Sequence, residues 1–265
     1  MCILFFAINQ HPKYPVVICA NRDEFHQRPT QIMHWWPEHE AKNLMLAGKD
    51  LQAGGTWLGL NQQGRFSALT NFRQPHLLDK NKRSRGDLVP QALVKTDQEI
   101  SAQLNKSAHL YNGFNIVFGQ LNKLTCFDSV AQKMQVLTSG FHSLCNGALD
   151  DIWPKMALGQ QQLTDTITLS ADTQSILPID NLFTIMQNNQ QASVEALPDT
   201  GLPLDWEQKL SSIFIVSPEY GTRTTNIIVQ DNHGNISVYD RSYNVEGKCS
   251  HKQNFMITPS INQAI

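Results

Sequence analysis

The chain has 265 residues, 41% of them hydrophobic and 17% charged, with a formal net charge of -2. That composition supplies one sizeable core. It lacks the basic excess with which nucleic-acid-binding domains neutralise phosphates, so nucleic acid is not an expected partner.

The first residues, Cys2 to Ile8, are apolar, stop at Asn9, and carry neither a basic leader nor a small-residue cleavage site. No apolar run approaches the roughly 20 residues of a membrane span. A soluble, cytoplasmic chain without stable membrane insertion is therefore expected. Residues 2–8 and 15–20 are continuous apolar runs joined by a polar loop. They predict a hairpin buried on both faces, within a sheet that lies between other layers. Residues 21–50 are polar and aromatic. Gly54-Gly55-Thr56-Trp57-Leu58-Gly59-Leu60 and Arg65 to Thr70 flank Asn61-Gln62-Gln63-Gly64, the pattern of strand, tight turn, strand.

Apolar spacing predicts a helix over 86–104. Strands are expected at 113–118, 123–128 and 134–138. The Gln-, Asp- and Thr-rich stretch 151–210 predicts helices around 153–162, 180–190 and 204–210. Strands return at 212–217, 223–231 and 236–241, the last two flanking the hairpin turn Asn232-His233-Gly234-Asn235. No repeat or composition break marks a linker. Strands at both ends with helices between predict a single α/β domain over 1–265, closed by its termini.

The five cysteines, Cys2, Cys19, Cys126, Cys145 and Cys249, contain no C-x-x-C pair. That excludes a zinc ribbon and a thioredoxin-like motif. The chain is too large and too cysteine-poor to need a disulfide framework, so reduced thiols are expected.

Cys2 is the first candidate for chemistry. Removal of Met1 would give it a free α-amine of pKa about 7.7–8.0 beside a thiol of about 8.5, so one residue would supply nucleophile and base. The alternative is a small apolar residue in a buried strand. A hairpin centred near His11 and Pro12 places Cys2 roughly opposite Asn21. Arg22 and Asp23 then emerge beside the thiol, where a cation favours thiolate and a carboxylate can hold the amine. They could equally form an ion pair capping the strand end. Asn71 ends a strand and could donate to an oxyanion, or serve as an ordinary turn residue. Asn146, in an Asn-Gly pair, is a similar case. Arg223 opens a late strand and could bind a carboxylate or simply be solvated. His34, His39, Trp35 and Trp36 fit neither a zinc-protease nor a haem-attachment spacing and read as surface residues. Gly54-Gly55-Thr56-Trp57 is not a phosphate loop. No metal or cofactor site follows from the residues.

Asn21-Arg22-Asp23-Glu24-Phe25 with Arg28-Pro29 resembles the signature of the NRDE family, also called the transport-and-Golgi-organisation family. The resemblance continues through Gly54 to Gly59, Leu69-Thr70-Asn71, Tyr111 to Asn115, Asn146 to Lys155, and Gly221-Thr222-Arg223. It implies a four-layer αββα sandwich of mainly antiparallel sheets, similar to N-terminal-nucleophile hydrolases. The cysteine amidases of that fold, which cleave penicillin V or conjugated bile salts, begin with Met-Cys and place an Arg and an Asp after the second strand. Cys2, Arg22, Asp23, Asn71, Asn146 and Arg223 sit where such residues could correspond. One departure is that the amidase pair is separated by two residues, whereas Arg22 and Asp23 are adjacent and alternate in direction on a strand.

Two functions follow. In the first, Cys2 attacks an acyl amide, thioester or ester, with Asn71 and Asn146 holding the oxyanion, Arg22 and Asp23 setting charge states, and Arg223 orienting the substrate. In the second, the chain is a non-enzymatic carrier of a hydrophobic ligand such as haem or a lipid, as the resemblance suggests for eukaryotic members, using the aromatic segment at 33–39.

Overall fold

The computed structural model describes residues 2–37 and 44–259. Strands β1 (Cys2–Ile8) and β2 (Val16–Phe25) form the opening hairpin. Asn9, at φ 55°, turns the chain, and its N–H donates to the Pro15 carbonyl at 2.7 Å. A meander follows: β3 (Thr30–Trp36), β4 (Met45–Asp50), β5 (Leu58–Asn61) and β6 (Arg65–Asn71). Helices α1 (Leu88–Val94) and α2 (Asp97–Ser107) lead to β7 (Phe114–Gln120), β8 (Lys123–Asp128), β9 (Lys133–Val136) and β10 (Gly140–Leu144). Then come α3 (Pro154–Asp172), α4 (Ile179–Met186) and α5 (Leu204–Lys209), and finally β11 (Tyr220–Gln230), β12 (Ile236–Tyr243) and β13 (Cys249–Ile257).

The strands form two antiparallel sheets, ordered β10-β1-β2-β11-β12-β13 and β3-β4-β5-β6-β7-β8-β9. The continuous apolar runs of β1 and β2 are explained by their position between two layers. Leu4, Phe6, Ile8 and Ile18 pack against Leu60, Phe66 and Val117 of the facing sheet. Ile3, Phe5 and Val17, on the opposite face, meet Met156 and Leu163 of α3 and Leu182 and Phe183 of α4. The second sheet turns its outer face to Val89, Leu93, Ile100 and Leu104 of α1 and α2. The layers run helix, sheet, sheet, helix, the expected αββα sandwich. Among the described residues no helix is long and apolar enough to cross a membrane.

Several expectations are corrected. Cys2 pairs with Arg22, and Ile3 with Asn21, one residue from the expected register. The single helix over 86–104 is two helices. The first ends with Lys95 as its C-cap, and Thr96 starts α2 with a capping box, accepting from Glu99 N while Glu99 accepts from Thr96 N. The polar stretch 21–50 carries β3 and β4, and β10 and β13 lie where no strand was expected. Residues 212–217 form no strand. Their backbone is instead served from a distance: the Asn21 side-chain amide donates to Ile213 O, Phe214 N–H donates to Asn188 O, and Ile215 N–H donates to Thr222 Oγ1.

Candidate functional site

Where β1 begins and β2 ends, a cleft of about 530 Å³ opens between the two sheets. Cys2 lines it, together with Arg22, Asp23 and Glu24 of β2, Trp57 before β5 and Asn71 at the end of β6. The sequence forces this placement. In an antiparallel ladder, directly paired residues share a face with Cβ atoms about 4.5–5.5 Å apart. The Cys2–Arg22 pairing therefore sets thiol and guanidinium side by side at the sheet end.

Arg22 is 5% exposed. Its Nη1 donates to Thr30 Oγ1 at 3.3 Å, and its Nη2 lies 3.7 Å from Glu24 Oε2. The guanidinium carbon stands 4.6 Å from the centre of the Trp57 ring. The planar guanidinium can lie against the ring and hydrogen-bond at its edge, a contact that an ammonium does not offer. Arg28 joins the same cluster, 3.8 Å from Glu24 and 2.6 Å from Asp50.

Asp23 points from the other side of the strand, as alternation requires. It is 1% exposed, and its Oδ1 accepts from Thr222 Oγ1 at 2.7 Å. Burial raises its pKa, and the nearby charge of Lys155 on α3 opposes that rise. Lys155 is itself buried and donates from Nζ to Leu210 O at 2.9 Å. Burial also pushes the Cys2 thiol up to about 11, with Asp23 adding to the rise and Arg22 opposing it.

Asn71 lines the cleft. Asn146 does not line the cleft. It is buried, and its Nδ2 donates to the Asn71 carbonyl at 2.9 Å, while its Oδ1 accepts from Cys145 Sγ at 3.1 Å. Next to it, Asn115 Nδ2 donates to Gly147 O at 2.7 Å. A Cβ on Gly147 would lie 2.2 Å from Asp151 Oδ2, so a side chain there would displace the Asp151 carboxylate. Asn146 thus holds the backbone of Asn71 from the adjacent sheet.

Arg223 also stands away from the cleft. The β11 ladder shifts register between Thr222 and Thr224, so Arg223 occupies a bulge. The bulge directs its Nη1 to the carbonyls of Phe25 and His26, both at 3.1 Å. There it fixes the turn that follows β2.

The aromatic segment is committed to the sheet. Trp36 is 3% exposed and donates from Nε1 to Ala47 O at 3.0 Å, and His34 pairs through Nδ1 with Ile32 O at 2.9 Å. His39 lies outside the described residues. No group of three or more His, Cys, Asp or Glu among the described residues is placed to hold a metal ion.

Sequence reasoning missed Arg85, which lines the cleft together with Lys80, Lys82 and Arg83. Its signals were the basic run from Lys80 to Arg85 and the glycine pair at 54–55. A Cβ on Gly55 would fall 2.4 Å from the Gly86 carbonyl carbon, and Thr56 N–H donates to Gly86 O at 3.0 Å. The Gly-Gly-Thr motif therefore exists to seat the 84–87 turn against the cleft.

Two variants of the conjugated bile acid hydrolase of Clostridium perfringens share the fold, with TM-scores of 0.53 and 0.50 at 11% and 12% identity, over the full length of both chains. The human and bovine Transport and Golgi organization protein 2 homologs are 33% and 30% identical to this chain over 262 and 264 residues, 91% of it and 93% of each of them. The family model for Transport and Golgi organisation 2 matches residues 1–245. The chain belongs to that family.

Proposed function

We propose that the protein is an N-terminal-nucleophile hydrolase or acyltransferase acting on an acyl amide, or on a thioester or ester, with Cys2 as nucleophile after loss of Met1. The observation that carries this reading is that Cys2 lines an inter-sheet cleft, paired with Arg22 and sharing the cleft with Asn71. While Met1 is attached, the Cys2 nitrogen is an amide that accepts no proton, and burial keeps the thiol neutral. Removal of Met1 converts that nitrogen into an amine of pKa about 7.7–8.0.

The amine then takes the thiol proton, and the thiolate forms a C–S bond to the substrate carbonyl. The oxyanion is held by the side-chain amide of Asn71, which Asn146 positions through the backbone. Collapse breaks the C–N bond, and the departing amine takes the proton from the α-ammonium. Water, or an acceptor amine or alcohol, attacks the thioester, releases the acyl group and restores the thiol. Asp23 steadies the α-ammonium, and Arg22 offsets the thiolate charge. Arg223, at its carbonyl-capping position, supports the turn that carries Phe25 to Arg28. The five free cysteines fit action in the reducing cytoplasm.

The rival reading, a carrier of haem or lipid, drew on the aromatic segment, whose Trp36 is packed into the core. The test combines intact mass with turnover. The chain is expected to lose one methionine, and an acyl thioester is expected to be trapped on Cys2. Full turnover by a Cys2→Ala variant, or retention of Met1 by all active protein, would overturn the assignment.

A further inference from the structure

The cleft is far more basic than the protein around it. Six cations line it against four carboxylates, whereas the whole chain is net -2. The acids are already engaged. Glu24 lies between Arg22 and Arg28, Asp50 holds Arg28, Asp23 holds Thr222, and Asp79 Oδ1 accepts from the Asn81 N–H at 2.8 Å. Among the described residues Arg85 takes part in no ion pair. It is half-buried, and Nη1 has one protein acceptor, Gly113 O at 3.0 Å. Burial and the proximity of Arg28 act against its charge, with Glu24 opposing them in part. A guanidinium held in that state is best relieved by an incoming anion, and its planar fork matches a carboxylate. Lys80, Lys82 and Arg83 on the same segment add attraction at the rim.

We propose that Arg85 is the centre of an anion subsite, and that the compound cleaved at Cys2 is an N-acyl amino acid whose free carboxylate docks there. The carboxylate belongs to the leaving half of the amide, so the scissile carbonyl lies between Arg85 and the thiol. This rests on the hydrolase reading for its chemistry but not for its binding. The rigid seat of the 84–87 turn on Gly55 and Thr56 fixes the subsite relative to the sheet ends that carry Cys2 and Asn71.

The test compares N-octanoylglycine with its neutral counterpart N-octanoylglycinamide, on full-length protein. Binding is measured by calorimetry on a Cys2→Ala variant, and turnover on the wild type. The carboxylate compound is expected to bind at least about tenfold more tightly, an advantage that added salt erodes for it alone. Arg85→Leu removes the preference, and Arg85→Lys restores part of it. Should Arg85→Leu fail to fold, the salt dependence on unaltered Arg85 carries the same decision. Selective binding without turnover would overturn the hydrolase reading and leave the subsite standing. Equal binding of both compounds, or binding of neither, would overturn the subsite, whatever the turnover.

Discussion

The Asn146 side-chain amide donates to the backbone carbonyl of Asn71 at 2.9 Å, joining the turn after β10 in one sheet to the end of β6 in the other. Both ends of the bond lie at the cleft end of the sandwich. Asn146 is therefore tied to the backbone of Asn71, a cleft residue, without itself lining the cleft.

Asn146→Ala leaves a carbonyl at the sheet junction without its donor. The expected cost is about 1–3 kcal/mol, read from urea unfolding. If Asn71 holds the oxyanion, a displacement near 1 Å lowers kcat by as much as about 100-fold. KM changes little, because the ground-state contacts of the cleft wall remain. Loss of stability with kcat unchanged would remove Asn71 from the oxyanion role.

The neutral Cys2 thiol makes stability fall in alkali. In the chain that retains Met1, the folded thiol titrates at about 11, above its ordinary value of 9.0. Ionisation therefore favours the unfolded chain first. The contribution is complete below pH 9 and is lost as pH rises towards 11, and a two-unit gap corresponds to about 2–3 kcal/mol. Burial pushes Cys126 up to about 12 and Cys19 higher, so they extend the same trend. Urea midpoints across this range are expected to drop for the wild type and to drop less for Cys2→Ala. Parallel curves would show that the folded thiol ionises freely.

Arg73 and Glu207 form a buried ion pair at 2.7 Å, 3% and 4% exposed. Arg73 also stands over the Trp153 ring at 4.7 Å, and its N–H donates to Asn146 O. Replacing Glu207 by Ala strands the guanidinium in the interior, at an expected cost of about 3–5 kcal/mol. The Glu207→Ala, Arg73→Met pair is expected to recover much of that loss, since no charge is then left buried. Additive losses in the double-mutant cycle would contradict the coupling.

Much of this arrangement was legible in the sequence. Continuous apolar runs revealed β1 and β2 because both faces are buried, and the Asn-Arg-Asp-Glu segment beside Cys2 located the cleft. The register slipped by one residue because the polar loop closes at Asn9 and Pro15, which centres it on Pro12, half a residue later than its composition suggests. That single step moves Asn21 to the helix side, where it braces Met186 and Ile213. The strands that escaped notice, β3, β4, β10 and β13, include three sheet edges, β3, β10 and β13, where one-sided burial is incomplete. Residues 212–217 mimic a strand in composition, but their hydrogen bonds come from Asn21, Asn188 and Thr222, which no local pattern records. Asn146 and Arg223 stood in the sequence as candidates for the oxyanion and for substrate orientation. Their targets, the carbonyls of Asn71 and of Phe25 and His26, depend on sheet pairing and on a bulge.

Gly55 connects the motif to the proposed anion subsite. Its missing Cβ leaves room for Gly86, whose carbonyl carbon and oxygen would lie 2.4 Å and 2.5 Å from it. Both are backbone atoms, so Gly55→Ala must move the 84–87 turn and Arg85 with it. The expected stability cost is about 1–3 kcal/mol, in the range of overpacking. The preference for N-octanoylglycine over its amide is expected to fall with it. Gly54 supplies the comparison: it has open space around its Cβ position but a φ of +77°. Gly54→Asn tolerates that conformation and leaves the Gly86 contact intact. It is expected to keep the preference. If both variants lose the preference equally, the seat of the turn does not position Arg85. If Gly55→Ala alone loses it, close backbone packing, with no side chain of its own, sets the position of the cation.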